Sequence, residues 1–193
     1  MNHSAPLDDE NQRFGLLVDM DGVLVDFVTA ALRLHGRMDV EENWPAGTWD
    51  FPTVLGISDR EFWHPIHEAG AEFWASLTSY PWCDELLSLI ADSGNWSILT
   101  SPSHDPYCSA GKIRWLQERF GRGFRNFLVG PPKWLCARPD QLLIDDNDSN
   151  VRNFRARGGQ AILFPQPWNE NHALTIDRIG YVREQLERAR AIG

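Results

Sequence analysis

Four carboxylates, a hydroxyl and an ammonium occur in an order that suggests one reaction centre. They are Asp19 and Asp21, then Thr100 with Ser101, then Lys133, then Asp145 and Asp146. Each group stands at or just beyond the end of a short apolar run. Asp and Lys otherwise avoid strand-rich apolar surroundings. Carboxylates gathered within a few ångströms of one another in a partly buried site repel strongly. A divalent cation removes that conflict. An oxygen donor set with no Cys or His beside it favours Mg2+ over zinc. A bound Mg2+ in turn draws in a phosphate, whose remaining charge Lys133 neutralises while Thr100 offers a hydroxyl to a phosphoryl oxygen.

The elements that must position these residues follow from hydrophobic pattern and turn signals. Buried strands are predicted over 14–18, 96–100, 127–129, 141–144 and 161–164. Helices are predicted over 25–34, 112–120, 150–157 and 176–191, with Gly121 and Gly158-Gly159 closing the second and third. Short apolar strands alternating with helices imply an α/β fold with a parallel sheet covered on both faces. In such a sheet ligands bind at the carboxyl ends of the strands, which is where the polar residues fall. Residues 37–80 break the rhythm. They are rich in Trp, Pro and Gly and contain Ser58-Asp59-Arg60-Glu61, a capping box opening a helix. This stretch is expected to be a small helical cap, with 13–36 and 81–193 as the core and 1–12 as a flexible tail.

Asp19-Met20-Asp21-Gly22-Val23, Leu99-Thr100-Ser101, Lys133 and Leu143-Ile144-Asp145-Asp146 together resemble the four motifs of the haloacid-dehalogenase (HAD) superfamily, in order and spacing. The resemblance implies a HAD-like Rossmannoid three-layer sandwich with the cap inserted after the first strand. It also implies a mechanism. Asp19 attacks phosphorus to give an aspartyl-phosphate. Asp21 protonates the leaving oxygen and then activates water. Mg2+ is held by Asp19, by the backbone carbonyl of Asp21 and by the Asp145-Asp146 pair, with Asp146 as the direct ligand and Asp145 in support. An acid two residues after the nucleophile is the phosphatase variant and argues against dehalogenase chemistry.

The segment 17–27, Thr100-Ser101-Pro102, Tyr107-Cys108, Lys112 with Trp115, and 142–146 are similar to the 5′(3′)-deoxyribonucleotidases. That likeness implies a nucleoside or deoxynucleoside monophosphate as substrate, its base held by Phe27, Trp49 and Trp63. Ser101, Lys112, Thr100 and Lys133 would line the phosphate side. The chain departs from the pattern in having no Arg before Lys133 and in having Asn147-Asp148 after Asp146. Two rivals stand beside this reading: a HAD phosphatase for another small ester or an oligonucleotide terminal phosphate, and a nucleotide-binding module without turnover.

Composition narrows the classes. A formal charge of −9 disfavours a partner such as a long nucleic acid. No apolar run reaches membrane-spanning length, so no membrane partner is expected. Three separated cysteines read as reduced thiols in a cytoplasmic protein. A homodimer is compatible with the sequence. Taken singly, Lys112 reads as a surface helix residue, His64 and His67 as exposed cap residues, and Trp44, Trp74, Trp82, Trp134 and Trp168 as packing.

Overall fold

The computed structural model describes residues 15–130 and 132–192, so the expected tail at 1–12 lies outside the described residues. One parallel sheet of five strands forms the centre. The strands are β1 (Gly15–Val18), β2 (Trp96–Thr100), β3 (Phe127–Val129), β4 (Gln141–Asp145) and β5 (Gln160–Leu163), in the order β3-β2-β1-β4-β5. From β1 the chain first builds outward through β2 and β3, then returns to the other side for β4 and β5. The crevice at the carboxyl end of β1, between β2 and β4, is therefore the topological switch point. Register fixes what meets there: Val18 lies beside Ile98 and Ile144, one residue short of Asp19 and Asp145 and two short of Thr100.

Side chains alternate across the sheet. Leu16 and Val18 join Ile98, Leu142 and Ile144 in one core, while Leu17 joins Leu99, Leu143 and Leu163 in a second. The first face is covered by α1 (Phe27–Leu34), α4 (Cys83–Ala91), α5 (Pro106–Phe120) and α7 (Arg178–Ile192). The second is covered by α6 (Asp148–Ala156) through Val151 and Phe154. Burial on both faces is why the strands carry so few polar residues.

Between α1 and α4 lie α2 (Phe51–Leu55) and α3 (Asp59–Ala75). The capping box is present: Ser58 Oγ accepts from the Glu61 amide at 3.3 Å and the Glu61 carboxylate accepts from the Ser58 amide at 2.9 Å. α3 breaks at Gly70, whose φ is 59°. Beyond that break it lies against α5 so closely that a Cβ on Gly111 would stand 2.4 Å from the Ala71 carbonyl oxygen and 2.5 Å from Trp74 Cβ.

Several boundaries differ from expectation. α1 begins at Phe27, because Val25 bridges to Asp21 and Ser79 and the Asp26 side chain caps the helix through the Thr29 amide. α5 begins six residues before 112, with Asp105 capping the Tyr107 amide and Pro106 in the first turn, where its missing N–H costs nothing. α4 was not expected. Its sequence buries Cys83, Leu86, Leu87 and Ile90, the i, i+3, i+4, i+7 set of an amphipathic helix.

The close crossing gives a test of sign. In an exposed helix interior, Gly to Ala stabilises by about 1 kcal/mol. For Gly111→Ala the clash with helix backbone outweighs that gain, and denaturant unfolding is expected to show a net loss of about 1–3 kcal/mol. A more stable variant would mean that α3 and α5 are not this close.

Candidate active site

Asp19 stands one residue past β1, its amide bonded to the Ile144 carbonyl of β4 at 2.9 Å. Its Oδ1 accepts from the Met20 amide at 2.8 Å and lies 2.6 Å from Lys133 Nζ. Oδ2 has no hydrogen bond among the described residues. Lys133 opens a 3-10 turn (Lys133–Cys136) and is buried; its Nζ also donates to Asp145 Oδ2 at 2.7 Å. Asp145 accepts further from the Asn147 amide at 2.9 Å and from Asn150 Nδ2 at 3.1 and 3.2 Å. The Asp145 carboxylate is thus saturated by protein donors, whereas among the described residues the Asp146 carboxylate accepts only from Trp168 Nε1, at 2.8 Å on Oδ2.

Turn geometry brings these pieces together. Gly22 has a φ of 73°, and a Cβ there would stand 2.0 Å from Asp146 Oδ2. Only glycine adopts this backbone at no cost and leaves room for the carboxylate. The Met20 carbonyl accepts from the amides of Val23, Leu24 and Val25, which closes the loop after Asp19.

Burial pushes the Asp19 carboxyl up to about 7; Lys133 pulls it down, while Asp145 and Asp21 push it further up. Asp146 is raised as well, first by burial and then by Asp19 and Asp145. Burial opposes the charge on Lys133, but Asp145 and Asp19 together overcome it and hold the ammonium more firmly than in free lysine. One carboxylate oxygen from each of Asp19, Asp145 and Asp146 lies within 4.8 Å of the others. Crowded carboxylates forced toward their neutral forms, with only oxygen donors around them, suit a hard divalent cation. The residues present therefore fit such a metal.

Above the acids opens a cavity of about 590 Å3. Asp19, Asp21, Lys133 and Asp146 are at its floor with Ser101, and Phe27, Trp49 and Trp63 are among its walls. All three expected base-side aromatics are thus on one cavity. Phe27 packs at 6.0 Å from Trp63, and Phe51 bridges Phe27 and Trp49. His64 and His67 are exposed as expected, but His67 stacks on Trp63 at 6.0 Å and also lines the cavity.

Two expectations are corrected. Lys112 is not a surface residue. It is fully buried, with Nζ donating to Asp21 Oδ2, to Thr100 Oγ1 at 2.8 Å and to the Ser101 carbonyl at 2.6 Å. The misreading arose because a lone Lys in a helix with charged neighbours looks solvated until α3 covers it. Trp74 and Trp168 do more than pack: both line the cavity, and Trp168 bonds Asp146. The loop after β5 supplies the rest of this clamp. Asn169 Nδ2 donates to the Asp146 carbonyl at 2.8 Å and Gln166 Nε2 donates to the Gly22 carbonyl. The same strand-end rule that found Asp145 points to this loop, since it leaves the carboxyl end of β5.

The family model described as 5′ nucleotidase, deoxy (Pyrimidine), cytosolic type C protein matches residues 13–191. No curated protein matches the chain in sequence. Among solved structures, a HAD family hydrolase from Deinococcus radiodurans R1, with bound phosphate and sodium, is 17% identical with a TM-score of 0.52, over 86% of this chain and 88% of that one. A HAD-superfamily hydrolase, subfamily IA, variant 1, from Geobacter sulfurreducens PCA is 14% identical with a TM-score of 0.53, over 88% of this chain and 98% of that one. At such identities these likenesses carry the fold. Among the described residues no helix is long and apolar enough to cross a membrane.

Two outcomes are expected. Asp19 is raised in the folded state, so its stabilising contribution is complete below the unfolded value of 3.8 and is lost as pH rises through about 7. Melting of the metal-free protein in EDTA should therefore fall between pH 5 and pH 8, and Asp19→Asn should flatten the slope; a melting point independent of pH in that window counts against the buried acid cluster. Gly22→Ala should cut phosphate release about 100-fold or more while the protein still folds, through displacement of Asp146 and a strained turn. Unchanged turnover in that variant would contradict the packing of Gly22 on Asp146.

Proposed function

We propose that this chain, which belongs to the cytosolic type C 5′-nucleotidase (deoxy, pyrimidine) family, hydrolyses nucleoside or deoxynucleoside monophosphates to nucleoside and phosphate. As a HAD hydrolase of this family it is a phosphatase-type enzyme; the substrate and the residue roles are our reading. The observation that carries the reading is the juxtaposition of Asp19 and Asp21 on the floor of a cavity walled by Phe27, Trp49 and Trp63. A flat base stacks on such rings while its phosphate reaches the acids.

In this mechanism Asp19 Oδ2, the oxygen free of hydrogen bonds, forms the bond to phosphorus as the bond from phosphorus to the ester oxygen breaks. Asp21 gives its proton to that departing oxygen, then takes one from the water that attacks the aspartyl-phosphate. Lys133 Nζ uses two of its three N–H groups on Asp19 and Asp145, and turns the third to a phosphoryl oxygen. Thr100, expected on the phosphate side, is fully buried and does not line the cavity; its Oγ1 accepts from Lys112 and so helps to hold that ammonium beside Asp21. Asp19, the Asp21 carbonyl and Asp146 would hold Mg2+, with Asp145 saturated by Lys133, Asn147 and Asn150 and therefore in support. When bound, the cation supplies charge neutralisation to the phosphoryl group. Residues 37–80 act as the cap that closes over the base, and the cytosolic family type supports a cytoplasmic location.

One observation favours the rival substrate, an oligonucleotide with a terminal phosphate. Arg60, His67 and His104 line the cavity together with Asp59, and the Arg60 guanidinium there would suit a second phosphate.

A panel of nucleoside monophosphates, sugar phosphates and 3′-phosphorylated oligonucleotides, with and without Mg2+, tests the proposal. Release from mononucleotides is expected to be fastest and to need the cation. Asp19→Asn should lose about 10³-fold or more in kcat. Trp63→Ala should raise KM for nucleotides and leave KM for base-free esters unchanged; an equal rise for both would remove the base from the aromatic wall.

A further inference from the structure

Lys112 is the group in this site that the mechanism above leaves without a direct role. It sits in α5, fully buried, with the Trp74 ring centroid 5.2 Å from its Nζ. A lysine ammonium has three N–H donors and no acceptor. Here all three are taken by the protein: Asp21 Oδ2, Thr100 Oγ1 and the Ser101 carbonyl. None remains for a substrate phosphate, and Lys112 does not line the cavity. Asp21 Oδ2 is committed to accepting from Lys112. Asp21 Oδ1 is buried and has no partner.

We propose that Lys112 is a positioning residue, which holds the Asp21 carboxyl through Oδ2 in the orientation from which it gives its proton to the leaving oxygen. The inference rests on the phosphomonoesterase reading and deepens it. Thr100 is oriented by the same ammonium: its oxygen accepts from Lys112, so its hydrogen points elsewhere. Trp74 packs over the ammonium, and the crossing at Gly111 sets how close that ring comes.

The dependence on leaving group separates this role from a structural or phosphate-binding one. A nucleoside leaves as a poor alkoxide and needs the proton; p-nitrophenolate leaves unaided. Lys112→Met is expected to slow the phosphorylation step, read as pre-steady-state release of the alcohol, about 100-fold or more with a nucleoside 5′-monophosphate and less than about 10-fold with p-nitrophenyl phosphate, with nucleotide KM little changed. Asp21→Asn is expected to show the same selectivity. Lys112→Gln, which retains an N–H donor, should recover part of the nucleotide rate, and it carries the comparison if the Met variant does not fold by circular dichroism. Equal losses on both esters in that first step, or a change confined to KM, overturn the positioning role. Selectivity in Asp21→Asn alone overturns it too, while leaving the reaction standing. No phosphate release by the unaltered protein would overturn the reaction itself.

Discussion

The mutual repulsion of four carboxylates at one end of a parallel sheet is the constraint on which the rest of the site depends. Asp19, Asp21, Asp145 and Asp146 meet where the chain reverses direction across β1, and two buried ammonium groups stand among them. Lys133 ties Asp19 to Asp145, and Lys112 ties Asp21 to the end of β2. Two cations against four anions leave an excess of negative charge, and burial makes that excess expensive. The raised Asp19 and Asp146 carboxyls are the record of it. A divalent cation is the partner that such a balance suits.

The two lysines resolve this tension differently, and donor counting shows how. Lys133 keeps one N–H for a ligand and faces the cavity, while Lys112 has none left and lies beneath it. The acids are also graded. Asp145 is filled by protein donors and braces the loop after β4, whereas Asp146 meets one indole N–H and keeps an oxygen free. Environment thus assigns distinct work to chemically identical side chains, as it does wherever paired carboxylates act together.

The aromatic wall is less independent of the core than a separate lid would be. Phe27 belongs to α1, yet it stacks on Trp74 of α3 at 5.4 Å and lies 6.0 Å from Trp63. α3 in turn presses on α5, which carries Lys112. The aromatic wall and the Asp21 carboxyl therefore share one packed unit, so a shift of α3 is felt at both.

The sequence by itself determined the strand-end chemistry. Asp19, Thr100, Lys133 and Asp145-Asp146 each follow a short apolar run, and a parallel sheet must gather the ends of such runs at one edge whatever else the chain does. The same local logic located the Ser58 capping box, because a cap needs only residues three apart. It failed where the partner lies far along the chain. Lys112 looked solvated because nothing near it in sequence reveals that Trp74 covers it or that Asp21 lies 91 residues away. Trp168 looked like packing because its bond to Asp146 exists only once the loop after β5 folds back over β4. Burial and donor counting are properties of three-dimensional neighbours. The tertiary structure alone therefore decided which lysine can face a phosphate and which holds the acid.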